Sequence, residues 1–347
     1  MQGSFRRTGA AAAVSAACLL AALGAAAPAR AGAVLDRVKA SGTLHCGVVD
    51  QPDDWGKADV HASLPEFNTD MCRALAAAVL GAPDKAAIVA VPSEQRGFRD
   101  LGTGRIDVLM GATPSTSAAI AFGATFARPM FLDGDALLVH RDAGIRGFAD
   151  LAGRTVCYAP GTEAEDALVA EAARRRIAYT PWPFEENGEM LGAVVGRKCD
   201  ALFGSASRLA EDRTNFHART KDFVLLPERY SVLPLAPAVA VGDAAWSEVV
   251  DSVVALPLQA EAAGVDRAHA AALHNSQDPL LRSFSGTLPG IDAGLVDAGW
   301  ATRALGAAGN AAEIFDRDLG EGSDLKLPRG DNALRGQGGL MVPDTIR

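Results

Sequence analysis

Two rhythms of apolar residues alternate along this chain. Short apolar runs of four to seven residues are followed by longer stretches with apolar positions three and four apart, and Gly, Pro and small polar residues separate them. The first rhythm reads as buried strand and the second as amphipathic helix. Val34 to Lys39 predicts a helical lead-in, Thr43 to Val49 a strand, and Phe67 to Leu80 a helix stopped by Gly81-Ala82-Pro83. Ala86 to Val91 is the next strand. Ser93 caps a helix to Leu101, Gly102-Thr103-Gly104 ends it, and Ile106 to Met110 is a strand that opens into the polar loop Gly111 to Ala119. The pattern then repeats. Phe131 to His140 crosses into a second α/β unit, with strands at Arg154 to Tyr158, Ile177 to Trp182 and Asp200 to Phe203, and helices at Phe148 to Leu151, Thr162 to about Arg176 and Asn187 to Val195. Phe223 to Pro227 is a strand, Ala238 to Val241 a return crossing and Trp246 to Pro257 a helix. Asp278 to Arg347 reads as an irregular tail with one helix, Trp300 to Asp318, wrapping one of the units.

Two places in this pattern point to a site. VCYAPGTEAED, from Val156 to Asp166, is a strand that feeds a helix N-terminus through Pro160-Gly161, with Thr162 as N-cap and Glu163, Glu165 and Asp166 suited to the positive end of the helix dipole. The loop after Met110 leaves its strand at the corresponding position. In open α/β sheets, ligands bind outside the carboxyl ends of the strands. GRIDVL (Gly104 to Leu109) and GRKCDAL (Gly196 to Leu202) echo one another as Gly stop, Asp and buried strand, each followed by a small polar loop, the second being Gly204-Ser205-Ala206-Ser207. Two similar α/β lobes are the expectation.

The N-terminus and the charge narrow the setting. Arg6 and Arg7 precede an apolar run from Ala10 to Ala27, and Ala29-Arg30-Ala31 is a small-x-small cleavage site, so residues 1–31 read as a cleaved signal peptide. Removing Arg6, Arg7 and Arg30 takes the formal charge from −9 to −12. An acidic exported chain does not suit nucleic acid or anionic lipid. Cys46, Cys72, Cys157 and Cys199 remain, an even number that favours disulfides in an exported protein, and pairing within each half closes the shortest loops. No CxxC occurs and the histidines are scattered, so neither a metal nor a cofactor is expected.

Several motifs resemble the family 3 extracellular solute-binding proteins of bacterial ABC importers, in particular their long AapJ-like general L-amino-acid-binding group. They are LDRVKASGTLHCGV from Leu35, FNTDMCRALAAAVLG from Phe67, DVL at Asp107, VCYAPGT at Val156 and GRKCDAL at Gly196. In the tail they are DPLLRSFSGT from Asp278, GNAAEIFDRDLGEGSDLKLPRGDNAL from Gly309 and GGLMVP from Gly338. The resemblance covers nearly the whole mature chain. It implies a periplasmic-binding-protein-like α/β fold with two lobes joined by a two-stranded hinge. Lobe one would be residues 32–132 plus 235–347, carrying the wrapping extension, and lobe two residues 133–234. The cleft between them would take a small polar ligand, and an inner-membrane ABC permease would be the partner.

The family's ligand clamp is altered in this sequence. The position of the arginine that forks the ligand α-carboxylate falls on Ala118 or Ala119, and no Arg occurs between Arg105 and Arg128. The acid that would hold the α-ammonium is matched by Ser205, and the second Thr of the helix-start motif by Glu163, while Thr162 is retained. Losing a buried charge-assisted pair costs about 2–5 kcal/mol of binding, so two losses remove roughly three decades of affinity or more. The candidate cleft lining is Trp55, Thr113, Ser115, Thr116, Thr162, Glu163 and Ser205, which suits a neutral or cationic polar ligand; Arg128 and Arg208 are the arginines that could reach in instead. Two alternatives follow from the same resemblance. One is an accessory protein for a periplasmic enzyme, in the manner of the MxaJ-type and XoxJ-type proteins. The other is a dehydratase-like enzyme, which the single cleft acid Glu163 supports poorly, so a non-enzyme is expected.

Overall fold

The computed structural model describes residues 32–49, 64–271 and 296–343. Residues 1–31, expected to be a signal peptide, the loop with Trp55 and the DPLLRSFSGT motif lie outside them. In chain order the elements begin with α1 (Ala33–Ser41), β1 (Leu44–Val49), α2 (Pro65–Leu80), β2 (Ala86–Val91), α3 (Glu94–Gly102), β3 (Val108–Ala112), α4 (Thr116–Phe122), β4 (Ala124–Phe126) and β5 (Phe131–Asp133). β6 (Asp135–His140), β7 (Thr155–Tyr158), α5 (Glu163–Arg175), β8 (Thr180–Pro183), α6 (Asn187–Val195), β9 (Ala201–Ser205), α7 (Ala206–Thr214) and β10 (Phe223–Leu225) follow. β11 (Leu233–Ala240), α8 (Ala244–Ala262), α9 (Trp300–Ala308) and α10 (Ala311–Asp318) complete the set.

The strands form two mixed sheets with the same internal order. The first runs β2-β1-β3-β11-β4, with β5 also on β11, and the second runs β8-β7-β9-β6-β10. In each, three parallel strands are followed by one that runs antiparallel, β11 on β3 in the first and β6 on β9 in the second. The chain passes between the sheets at Gly134, between β5 and β6, and again between β10 and β11. Gly134 suits the first passage because a Cβ there would collide with the Ser231 carbonyl oxygen of the second.

The GRIDVL and GRKCDAL echo has a structural cause. Asp107 Oδ2 accepts the His45 amide at 2.8 Å while its own amide donates to the His45 carbonyl at 2.7 Å. Asp200 repeats this on Thr155, at 2.8 and 2.9 Å. Arg37 braces the first aspartate and Arg154 the second. Each Asp therefore satisfies backbone groups at the start of the neighbouring parallel strand. Three residues before each Asp the backbone is left-handed, with φ 70° at Gly104 and 57° at Arg197. Glycine takes that conformation freely and arginine under strain.

Disulfides link Cys46 on β1 to Cys72 on α2, with Cα atoms 6.0 Å apart, and Cys157 on β7 to Cys199 ahead of β9, 5.9 Å apart. The strands that carry Cys46 and Cys157 hold equivalent places in their sheets. The main core packs α2, α8 and α9 on the first sheet around Trp246 and Trp300, both fully buried. Trp246 Nε1 donates to the Asp107 carbonyl at 2.8 Å.

Several elements differ from the sequence expectations: α4 begins inside the expected loop Gly111 to Ala119, the strand expected over Ile177 to Trp182 is confined to Thr180–Pro183, and α7 starts within the expected loop Gly204 to Ser207. Phe148 to Leu151 is a single 3₁₀ turn rather than an α-helix. The helix around Trp246 extends over Ala244–Ala262 and runs through Pro257, with Leu256, Pro257 and Leu258 all buried. The helix expected over Trp300 to Asp318 is two helices, because Gly309 takes φ 97° and Asn310 starts the second with a capping box to Glu313.

The tail bonds to α2, β5 and α7. Arg317 pairs with Asp70 of α2, and Arg303 donates to the Ala77 and Ala78 carbonyls at 2.9 and 2.8 Å. The Asn332 carboxamide bonds both backbone groups of Leu132 on β5, at 2.7 and 2.8 Å. Arg213 of α7 donates to the Leu325 carbonyl at 2.6 Å. Among the described residues no helix is long and apolar enough to cross a membrane.

Candidate functional site

β3, β7 and β9 each end at a helix N-terminus, and six of the seven candidate residues sit at these three junctions. Trp55 lies outside the described residues. In the first junction, Thr113 gives both its amide and its hydroxyl to Glu94 Oε1, at 3.0 and 2.9 Å. Ser115 caps α4 by accepting the Ala118 amide at 3.0 Å and bonds the Ser117 hydroxyl at 2.8 Å. Thr116 begins that short helix and is exposed. The acid at this junction is therefore Glu94, from the start of α3, 19 residues away from Thr113 in sequence and so outside any local motif.

The second junction is built as its sequence predicts. Thr162 Oγ1 accepts the Glu165 amide at 3.3 Å and donates to the Ala159 carbonyl at 2.9 Å. Glu163 is the first helical residue and is exposed. Glu165 is the acid that folds back, accepting the Gly161 amide at 2.7 Å. Burial first, and then the charge of Glu165, raise the phenols of Tyr158 and Tyr179 above the usual tyrosine range. Both rings thus stay neutral and can donate.

Ser205, at the third junction, is 2% exposed. Its hydroxyl donates to Asp133 Oδ2 at 2.7 Å and accepts the Arg208 amide at 3.3 Å, so it caps α7 and grips β5 together. Ser207 adds its hydroxyl and its amide (3.2 Å) to the same carboxylate, and the Gly134 amide adds a fourth donor at 2.9 Å. Asp133 is 3% exposed, and these donors supply the compensation that a buried carboxylate requires. The acid that the resemblance expects at the end of β9 is thus replaced by a hydroxyl, and an acid stands on β5 instead.

Both alternative arginines are held by acids. Arg128 meets Asp251 of α8 through its amide at 2.8 Å and through Nε at 3.0 Å, with Nη2 on the second oxygen. Arg208 Nε donates to Asp212 Oδ1 at 3.2 Å. Asp212 also accepts from Asn187 at 2.9 Å, and burial raises its carboxyl above the usual range. Among the described residues, no hydrogen bond joins Thr113, Ser115 or Thr116 to Thr162, Glu163 or Ser205. Nor does any group of three or more His, Cys, Asp or Glu there suit a metal ion.

No protein-family model matches the chain. It is 32% identical over 339 residues to the general L-amino acid-binding periplasmic protein AapJ of Rhizobium johnstonii, covering 96% of this chain and 98% of that protein. It is 32% identical over 318 residues to the glutamate/glutamine/aspartate/asparagine-binding protein BztA of Rhodobacter capsulatus, covering 90% and 93%. Among solved structures, an ABC-transporter periplasmic binding protein from Brucella ovis with glutathione bound matches at a TM-score of 0.72 and 31% identity, over 90% of this chain and 99% of that one.

Proposed function

Since the chain belongs to the amino-acid-type periplasmic solute-binding proteins of ABC transporters, we propose that it delivers a small polar ligand to such a transporter, with a cleft altered away from ordinary zwitterionic amino acids. The cleft lies between a lobe of residues 32–132 plus 235–347 and a lobe of residues 133–234. The periplasm is its site of action, as it is for these relatives. One observation supports the altered specificity: the side chains that would have to hold the two ends of a zwitterion are engaged within the protein. Arg128 and Arg208 are committed to Asp251 and Asp212, and Ser205 spends its hydroxyl on Asp133. Glu94, Glu163 and Glu165 at the strand-end junctions favour a ligand with a neutral or cationic end over a second carboxylate there. Glutathione in the Brucella ovis structure shows that a relative of this architecture accommodates a small peptide, which makes short peptides a first class to test. Binding rather than catalysis agrees with the named activities of these relatives.

Native mass spectrometry of the mature protein, followed by a thermal-shift panel of amino acids, amines, polyols and small peptides including glutathione, tests this reading. A ligand that binds only the native state raises the melting temperature by mass action. The expected result is a shift with a peptide, amine or polyol and little with L-glutamate or L-glutamine. Tight binding of either amino acid would overturn the altered-clamp reading. No shift together with a co-purifying protein would replace transport by the accessory role.

A further inference from the structure

Thr113, just past the end of β3, spends two donors on one oxygen. Its amide and its hydroxyl meet Glu94 Oε1 at 3.0 and 2.9 Å, and both residues are half-buried. An N–H and an O–H that converge on one point suit a carboxylate oxygen, and such charge-assisted bonds are the strong kind. Here the carboxylate is the protein's own, from the first residue of α3. That helix does not need it as a cap. Ser93 is the N-cap and accepts the Arg96 amide at 3.3 Å, and the third helical position, from which a capping-box acid reaches back, is Arg96 itself. Glu94 instead points across 19 residues of chain to the strand-end junction. The second junction is closed in the same manner, with Glu165 Oε2 accepting the Gly161 amide at 2.7 Å.

We propose that Glu94 is a resident carboxylate that takes the place of a ligand's at Thr113, and that it is a residue by which this protein selects against ligands carrying a carboxylate at that end. The inference rests on the ligand-delivery role proposed above and names one residue that sets its specificity. A ligand carboxylate arriving at Thr113 has to displace Glu94, strip that side chain of two hydrogen bonds and then sit beside its charge. A hydroxyl or an ammonium meets neither obstacle, since it brings a donor to a carboxylate that is already in place. Discrimination by a built-in repulsive group is a general route to specificity.

The test titrates the full mature protein with acetate and with L-glutamate, followed by ligand-observed proton NMR, in the wild type, Glu94→Ala and Glu94→Gln. Glu94→Ala frees both donors and removes the charge. A hydrogen bond from a freed donor to a ligand carboxylate is worth about tenfold in affinity, so at least one probe is expected to bind about tenfold or more tightly than to the wild type. Glu94→Gln keeps an oxygen that accepts from Thr113 and removes only the charge, so its expected gain is roughly threefold. Adding Thr113→Val to Glu94→Ala deletes the hydroxyl donor and should take back much of the gain. A purely structural tether between α3 and the loop after β3 predicts a lower melting temperature in both Glu94 variants and no gain for either probe, and that result overturns the proposal. Should Glu94→Ala fail to fold, as judged by circular dichroism, Glu94→Gln carries the test, and affinities equal to wild type overturn it. Tight binding of L-glutamate by the wild type would defeat the altered clamp and this role of Glu94 together. Equal affinities in the wild type and Glu94→Ala would defeat the role of Glu94 alone.

Discussion

Placing an acid at the end of β9 should damage this protein. In Ser205→Asp, a carboxylate replaces a hydroxyl that now donates to Asp133 Oδ2 at 2.7 Å in a buried setting. Two unit charges about 4 Å apart repel by about 4 kcal/mol at the effective dielectric that suits protein sites. A hydrogen bond to a charged group, worth about 1.5–3 kcal/mol, is lost as well. The pair escapes part of this cost by sharing a proton, which raises the folded pKa of one carboxyl above its unfolded value. The sign then follows from linkage. An acid whose folded pKa is raised leaves the native state most stable below the unfolded value near 4, and stability falls as pH rises toward the folded pKa. Urea denaturation from about pH 4 to about pH 8 should therefore show a variant whose deficit grows with pH to about 4–6 kcal/mol. Adding Asp133→Asn should recover most of that loss at neutral pH. A Ser205→Asp variant within about 0.5 kcal/mol of wild type, with a flat pH profile, would refute the idea that Asp133 has taken over this corner.

Two further outcomes are expected. Burial, reinforced by Asp70 and Glu66, raises Asp318 from 3.8 to about 6 against the pull of Arg317, so this group lowers stability as pH climbs from 4 to 6. Asp318→Asn should melt higher than wild type at neutral pH, by about 1–2 kcal/mol, and converge with it in acid. Thiol titration of the unfolded, unreduced protein should find no free thiol from Cys46, Cys72, Cys157 and Cys199. On the chain-entropy view, opening loops of 26 and 42 residues costs about 3.5 and 4 kcal/mol, read as a lower urea midpoint after reduction.

The elements were legible wherever local chemistry decides them. Ala86–Val91, the caps at Ser93 and Thr162, and Asn187–Val195 stand where apolar spacing and capping residues put them. The break at Gly309 was also present in the sequence, as Asn310 and Glu313 form a capping-box pair, but the apolar periodicity of Trp300 to Phe315 runs across it. What local pattern does not contain is partnership over distance. Glu94 reaches Thr113 across 19 residues and Asp133 reaches Ser205 across 72, and neither acid has a neighbour in sequence that reveals its partner. Glu165 was within reach, since Thr162-x-x-Glu165 is a helix-start signature in its own right. The family resemblance draws attention to Ala118, Ala119, Glu163 and Ser205, and it contains no signal for Glu94 or Asp133, whose partners lie far away in sequence.

The strand order also sets a timetable for folding. The second sheet draws all its strands from the continuous stretch Asp135–Leu225, whereas the first cannot be closed until β11 arrives to join β3, β4 and β5. In a chain that emerges N-terminus first, β1 to β5 must wait through about a hundred residues that can complete a sheet of their own. Cys46 and Cys72 both emerge before that wait begins. A cross-link made then would hold β1 and α2 in register while their sheet lacks its central antiparallel strand, and would shorten the search when β11 finally appears.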